Sequence, residues 1–417
     1  MRFNPPIIDY CRRQFPALSR RVDGHTAAFF DGPGGTQVPQ RVIDAVSHYL
    51  AHTNANHGGL FATSQESDRV LAEAHQALAD FFGADDPGTI VFGHNMTSLT
   101  FALARALART WKSGDEIVVT RLDHDANVAP WVLAAKDAGA NVRWIGVRED
   151  DGTLDLDQFQ HTINERTKLV AVGAASNATG GINPIRDIAT LAHAVGAQVF
   201  CDAVHYAPHN LLDVQALGCD YLACSAYKFF GPHCGVLWGK RPLLENLEAY
   251  KVRPAPQTLP DKWMVGTQSH EAIAGTAAAV EYLADLGRRL AGNESLPRRG
   301  ALREAYREIG LYERQLAGKL LAALEQMGEI KVWGITSLQR LEERVATISF
   351  THERVTPQEM AEQLGRLGFF VWHGHYYALN FTETLGLEPQ GMLRVGLLHY
   401  NTAGEVERLL EALHGLR

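Results

Sequence analysis

The sequence is poor in cysteine, carries no excess of basic charge and has no long apolar run. Its five cysteines, Cys11, Cys201, Cys219, Cys224 and Cys234, are odd in number, widely spread and without a CxxC pair, and none follows position 234. This pattern argues against a disulfide framework and a structural zinc site, and predicts reduced thiols, mostly in the core. A net charge of −8 leaves no basic footprint for nucleic acid or an anionic membrane, so positive charge at a site must be local. No uninterrupted apolar stretch is long enough to span a bilayer, and the opening MRFNPPIIDYCRRQFPAL lacks the apolar centre of a leader. A cytoplasmic protein with a small-molecule partner, acting on neither nucleic acid nor membrane, is the expectation. Internal repeats, low-complexity tracts and linkers rich in Pro, Gly or Ser are also missing, which argues against independent modules.

What is present is apolar material: 46% of 417 residues, enough for one large core and a smaller one. From about residue 88 to 240, β-rich runs alternate with helical patterns. TIVFG precedes SLTFALARALARTW, EIVVT precedes VAPWVLAAKDAG, VRWIGV precedes LDLDQFQHTI, and KLVAVGAAS precedes IRDIATLAHAVG. QVFCDAV, YLACSAYK and GVLWGK follow. This predicts an α/β domain around a mainly parallel sheet, with ligands at the carboxyl ends of its strands. Residues from about 286 to 320 read as a long charged helix leading to VATISF, GFFVWHG, MLRVGLLHY and the helical tail TAGEVERLLEALHGLR, a second and smaller α/β domain. The expected division is an N-terminal segment over 1–27 packing with the small domain, a large domain over 28–290 and a small C-terminal domain over 291–417.

Chemistry concentrates at the predicted strand ends. QVFCDAVHY ends an apolar strand in Asp202, and twenty-six residues later SAYKFFGP ends another in Ser225, Tyr227 and Lys228. The pair suits pyridoxal 5'-phosphate (PLP) chemistry. A lysine amine can hold that cofactor as a Schiff base, and a carboxylate can keep its pyridine nitrogen protonated so that the ring becomes an electron sink. The plainer reading makes Asp202 a turn cap and Lys228 a solvated surface lysine. The apolar, Gly-rich FFGPHCGVLWG directly after Lys228 speaks against it.

VFGHNMTSLTFALARAL offers a strand, then Gly93, Asn95, Thr97 and Ser98, then an apolar helix whose N-terminus suits a phosphate, or is an ordinary Asn or Thr cap. DGPGGTQ (31–37) lacks the Lys-Ser/Thr of a nucleotide loop and is read as backbone brought close to a substrate. RLDHDANVAPW sets His124 after the EIVVT run, where an imidazole can stack on a cofactor ring and move protons, or be merely structural. Asn177 and His205 lie at two further strand ends and can donate to the cofactor's phenolic oxygen, or act as turn residues.

In order, from FFDGPGGTQVPQRVIDA to RVGLLHYNTAGEVERLLEAL, these segments resemble the fold-type I PLP enzymes of the class V aminotransferase superfamily, most closely the cysteine desulfurase and selenocysteine lyase group. The resemblance implies an α/β fold: a large domain on a mainly parallel seven-stranded sheet plus a smaller C-terminal α/β domain. It makes Lys228 the Schiff-base lysine, Asp202 the partner of the pyridine nitrogen and His124 the ring-stacking histidine. Asn177 and His205 would contact the phenolic oxygen. Thr97, Ser225 and Tyr227 would hold the phosphate, with Asn95 and Met96 beside them and Thr267 of MVGTQSHE reaching in from the other subunit of a homodimer. Arg394 would grip the α-carboxylate of a small amino acid, a task suited to its planar fork. His57, Gly34, Gly35, His375 and Tyr377 complete the expected substrate set.

The pattern also breaks. Cysteine desulfurases carry a catalytic cysteine on a loop that here aligns with VWHGHYYAL, and Tyr377 stands at its place. Trp372 stands where that group has an arginine, and His205 where it has a glutamine; His205 and Tyr227 are instead similar to kynureninase. His373 and His375 are read as pocket residues rather than metal ligands, because no carboxylate or cysteine cluster accompanies them. The expectation is a desulfurase-like PLP lyase that stores no sulfur on the protein. The competing readings are a kynureninase-like hydrolase, an epimerase or an aminotransferase, and, outside enzymes, a catalytically inactive PLP-fold scaffold.

Overall fold

The computed structural model describes residues 2–416. Seven strands form the central sheet: β1 (Ile90–Gly93), β2 (Glu116–Thr120), β3 (Asn141–Ile145), β4 (Thr167–Gly173), β5 (Gln198–Asp202), β6 (Tyr221–Ser225) and β7 (Gly235–Gly239). Their spatial order is β1-β7-β6-β5-β4-β2-β3. The five consecutive strands β6-β5-β4-β2-β3 pair in parallel, while β7 runs antiparallel to both β1 and β6. The seven-stranded, mainly parallel sheet implied by the sequence is therefore present.

Both faces of this sheet are covered, which explains why its strands read as continuous apolar runs. Along β4, Leu169 and Ala171 join one apolar cluster with Leu103 of the helix Met96–Ala108 and Trp131 of the helix Ala129–Ala138. Val170 and Val172 point the other way, into a cluster with Leu78 and Phe81 of the helix Ala62–Phe82. That second cluster continues through Ile348, Phe350 and Val395 of the C-terminal sheet, so one core joins both sheets.

The C-terminal sheet has four antiparallel strands, β8 (Ile330–Trp333), β9 (Thr347–His352), β10 (Trp372–Gly374) and β11 (Met392–Gly396), in the order β8-β9-β11-β10. Its register sets Arg394 between Ser349 and Trp372. Ala28–Phe29 pairs in parallel with Phe369–Phe370, tying the start of the chain to this region.

Three details differ from the sequence reading. The single helix expected near 286–320 is two, His270–Ala291 and Arg298–Glu325, because Gly292 in a left-handed conformation (φ +65°) ends the first and Pro297 precedes the second. GFFVWHG is split between two sheets at Val371. Lys228 is not on a strand: β6 stops at Ser225 and a 3₁₀ turn over Ala226–Lys228 carries the lysine. Among the described residues no helix is long and apolar enough to cross a membrane.

Candidate active site

Strand addition reverses direction between β2 and β4, and ligand clefts of open α/β sheets form outside the carboxyl ends at such a point. There the structure opens a cavity of about 760 Å³. β2 delivers His124 to it, β4 Asn177, β5 Asp202 and His205, and β6 Ser225, Tyr227 and Lys228. Gly34, Met96, Thr97, His375, Tyr377 and Arg394 also line it.

Lys228 Nζ donates to the carbonyl oxygens of Pro33 and Gly34, the latter at 3.1 Å, so the DGPGG segment lies against the lysine. Burial lowers this amine from its ordinary value to about 7; the positive charge of Arg394 adds to the effect and the carboxylate of Asp202 opposes it. A large fraction is thus neutral and nucleophilic near pH 7. Asp202 is pushed up to about 6 by burial, against the stabilising N–H of Val204 (2.8 Å) and the nearby Lys228. A cation set beside this carboxylate would favour its ionised form.

His124 is lowered to about 4 by burial and then by the charges of Lys228, Arg394 and His375. Its Nδ1 accepts from the Ala126 N–H at 3.0 Å, so the neutral ring carries its proton on Nε2. Asn177 donates through Nδ2 to the Tyr376 carbonyl at 2.8 Å and leaves Oδ1 buried without a partner. Arg394 donates through Nη1 to the Asn177 carbonyl at 2.8 Å, lies over the Tyr376 ring at 4.1 Å and leaves Nε buried and unpartnered.

At the helix start, Asn95 is spent as a cap: its side chain accepts from the Ser98 N–H at 2.8 Å, and Ser98 bonds back. Asn95 does not line the cavity, and neither does Gly35. The Met96 N–H is taken by Ser225 Oγ at 2.9 Å. The Thr97 N–H and hydroxyl remain for an anion, next to a Ser225 hydroxyl that still has its proton to give. Gly34 has room for no side chain, since a Cβ there would collide with the Trp372 indole.

His57 is placed elsewhere, in a smaller cavity of about 220 Å³ with Asp68, His75 and His270. Gly266 and Gln268, on either side of the exposed Thr267, line that same cavity. Sequence reasoning passed over Asp123, although it sits beside His124: its carboxyl lines the main cavity, accepts from Thr120 Oγ1 at 2.6 Å and is pushed up to about 7 by burial, Asp202 contributing. It also missed Thr356, Gln358 and Gln390, which the C-terminal region brings to the cavity from far along the chain.

These groups fit PLP. A neutral lysine amine, a buried carboxylate, unspent donors at a helix start and orphaned polar atoms on Asn177 and Arg394 are what an anionic, ring-bearing cofactor and an amino acid would satisfy. The family model for class-V aminotransferases matches residues 28–297 and 301–409. A cysteine desulfurase of Synechococcus elongatus is 32% identical over 98% of this chain, which spans 64% of that relative's length. An aminotransferase-like protein of Gibberella zeae, FGM3, is 32% identical over 97% of both chains. The solved apo structure of a cysteine desulfurase from Thermococcus onnurineus NA1 superposes with a TM-score of 0.85 at 26% identity, covering 98% of this chain and 97% of that one. The chain belongs to the class-V aminotransferase family and is a PLP-dependent enzyme.

Proposed function

We propose that the protein is a desulfurase-like lyase that cleaves a C–S or similar bond of a small α-amino acid without passing sulfur to a cysteine of its own. One observation carries this reading: all five cysteines are buried, at most 3% exposed, and none lines the cavity. Burial also pushes the thiols of Cys11 and Cys234 up to about 12 and that of Cys224 well above its ordinary value, while Cys201 is raised first by its neighbour Cys219 and then by burial. A thiolate able to reach a substrate sulfur is therefore lacking.

The residues divide the work as follows. Arg394 holds the substrate carboxylate through its fork, and Asp202 holds the cofactor's ring nitrogen. When bound, PLP supplies the sink for the electron pair left on Cα. Lys228, neutral above about pH 7, takes the Cα proton. His124 already uses Nδ1 as an acceptor, which suits a stacking and donating role rather than that of base. The pair left on Cα would form a Cα=Cβ double bond as the Cβ substituent leaves with its own bonding pair and takes a proton from water, so that sulfur would depart as free sulfide. We further infer a homodimer in which Thr267, exposed and outside its own chain's cavity, serves a neighbour's phosphate; a fully active monomer in sedimentation would contradict this.

The test is a screen of amino acids, L-cysteine included, against the PLP-loaded protein, following the cofactor's absorption and the release of sulfide. Absorption changes with small amino acids and a small leaving group in solution support the reading. No change with any amino acid overturns it.

A further inference from the structure

His205 lies between two surroundings. It lines the cavity, yet is only 4% exposed, and its Nε2 stands 3.1 Å from the hydroxyl of Thr347. Thr347 opens β9 of the C-terminal sheet and is fully buried, and that hydroxyl has no other partner among the described residues. Among the described residues no group bonds His205 Nδ1, and it is not among the walled-off polar atoms, which leaves it facing the cavity.

The direction of this one bond follows from counting protons. A neutral imidazole has one N–H and one lone pair, and a hydroxyl has one hydrogen to give. If Nε2 carried the proton and donated to Thr347, the hydroxyl hydrogen would be buried with no acceptor, a state folded proteins avoid. If the hydroxyl donates to Nε2, every hydrogen is used and the ring N–H sits on Nδ1, directed at the cavity.

We propose that Thr347 is a positioning residue whose hydroxyl fixes the tautomer of His205, so that Nδ1 presents an N–H donor to the phenolic oxygen of PLP. The inference rests on the cofactor placement proposed above. The surroundings keep the ring neutral: burial, then His209, Arg394, Lys228 and His124, all disfavour a charged His205. His209 stands edge-on to His205 at 5.6 Å with its own Nδ1 held by Glu313 at 2.6 Å, and among the described residues no hydrogen bond joins it to the Thr347 hydroxyl. A residue of the C-terminal sheet thus reaches the electronics of a cofactor seated on the large sheet.

The experiment is a pH titration of the visible absorption of the PLP-loaded protein. A donor on the phenolic oxygen stabilises its negative charge most when the cofactor-linked Lys228 nitrogen is unprotonated, so it lowers the titration midpoint. Thr347→Val is expected to raise the midpoint by about one pH unit, a tenfold change in proton affinity; Thr347→Ala serves if that variant does not accumulate. Thr347→Ser should stay at the wild-type midpoint, and His205→Phe should move it upward at least as far as Thr347→Val. A wild-type midpoint in Thr347→Val alongside a shifted His205→Phe overturns the proposal, as does a Thr347→Ser shift equal to that of Thr347→Val, which would mean packing rather than the hydroxyl. An unmoved midpoint in His205→Phe overturns it through its premise, and absence of any visible band in the wild type would instead remove the cofactor placement itself.

Discussion

The two walls of the cavity are built on different principles. The wall at the carboxyl ends of β2, β4, β5 and β6 is made of buried groups whose positions are set by sheet register, and burial moves the acidities of Lys228, Asp202, Asp123 and His124 far from their ordinary values. The opposite wall, residues 372–377, is open: Trp372 is 51% and Tyr377 67% exposed. Two of its residues, Tyr376 (φ +52°) and Tyr377 (φ +61°), adopt the left-handed backbone that side chains rarely take. It is pinned to the first wall at two carbonyls, Tyr376 accepting from Asn177 Nδ2 and Tyr377 from the Asp125 N–H at 2.7 Å, while the Tyr377 ring stacks on His124 at 5.3 Å. The contrast is between groups that the sheet fixes and desolvates and an exposed loop held to them by two carbonyls and one ring stack.

The comparison can be broken first at the strand-end wall. Lys228→Ala should lower turnover by about 10²–10⁴-fold, the range of a lost acid–base group, and borohydride should no longer fix PLP to the protein. Covalent fixation at another lysine would remove Lys228 from its role. Next in size is Arg394→Ala. Stripping one partner from a buried charge pair costs about 2–5 kcal/mol, so KM for the α-amino acid should rise at least tenfold with a smaller change in kcat. An unchanged KM would place the carboxylate elsewhere.

A third prediction uses pH. Only the neutral amine can attack the aldehyde of PLP, and Lys228 is protonated below about 7 because its folded value lies there. The rate of PLP uptake by cofactor-stripped protein should therefore climb about tenfold per pH unit up to about pH 7 and then level off. A rate still climbing to pH 10 would mean an ordinary, solvated lysine. The smallest effect belongs to the loop wall: Tyr377→Phe keeps the stack on His124 and should leave thermal stability within about 0.5 kcal/mol.

The same contrast governs what could be read from the sequence. EIVVT, KLVAVG, QVFCD and YLACS are apolar on both faces and end in, or within a few residues of, polar side chains, so β2, β4, β5 and β6 and the residues they deliver were legible. The loop wall was legible only through resemblance, since exposed aromatics and left-handed tyrosines leave no periodic signal. Thr347 reaches His205, and Gln358 and Gln390 reach the cavity, through tertiary folding across more than a hundred residues, and VATISF looks like any strand. Asp123 was masked by its neighbour His124, because only burial reveals that its carboxyl titrates near neutrality. Gly292 was the overlooked signal for the break between the two long helices.

The central claim is that the family's cofactor machinery operates here without a sulfur-carrying cysteine. Mass spectrometry of the intact PLP-loaded protein after incubation with L-cysteine, under non-reducing conditions, tests it most directly. The account predicts an unchanged protein mass, with any released sulfur found in solution as sulfide. A substrate-dependent gain of one sulfur atom, abolished by substituting a single cysteine, would contradict it.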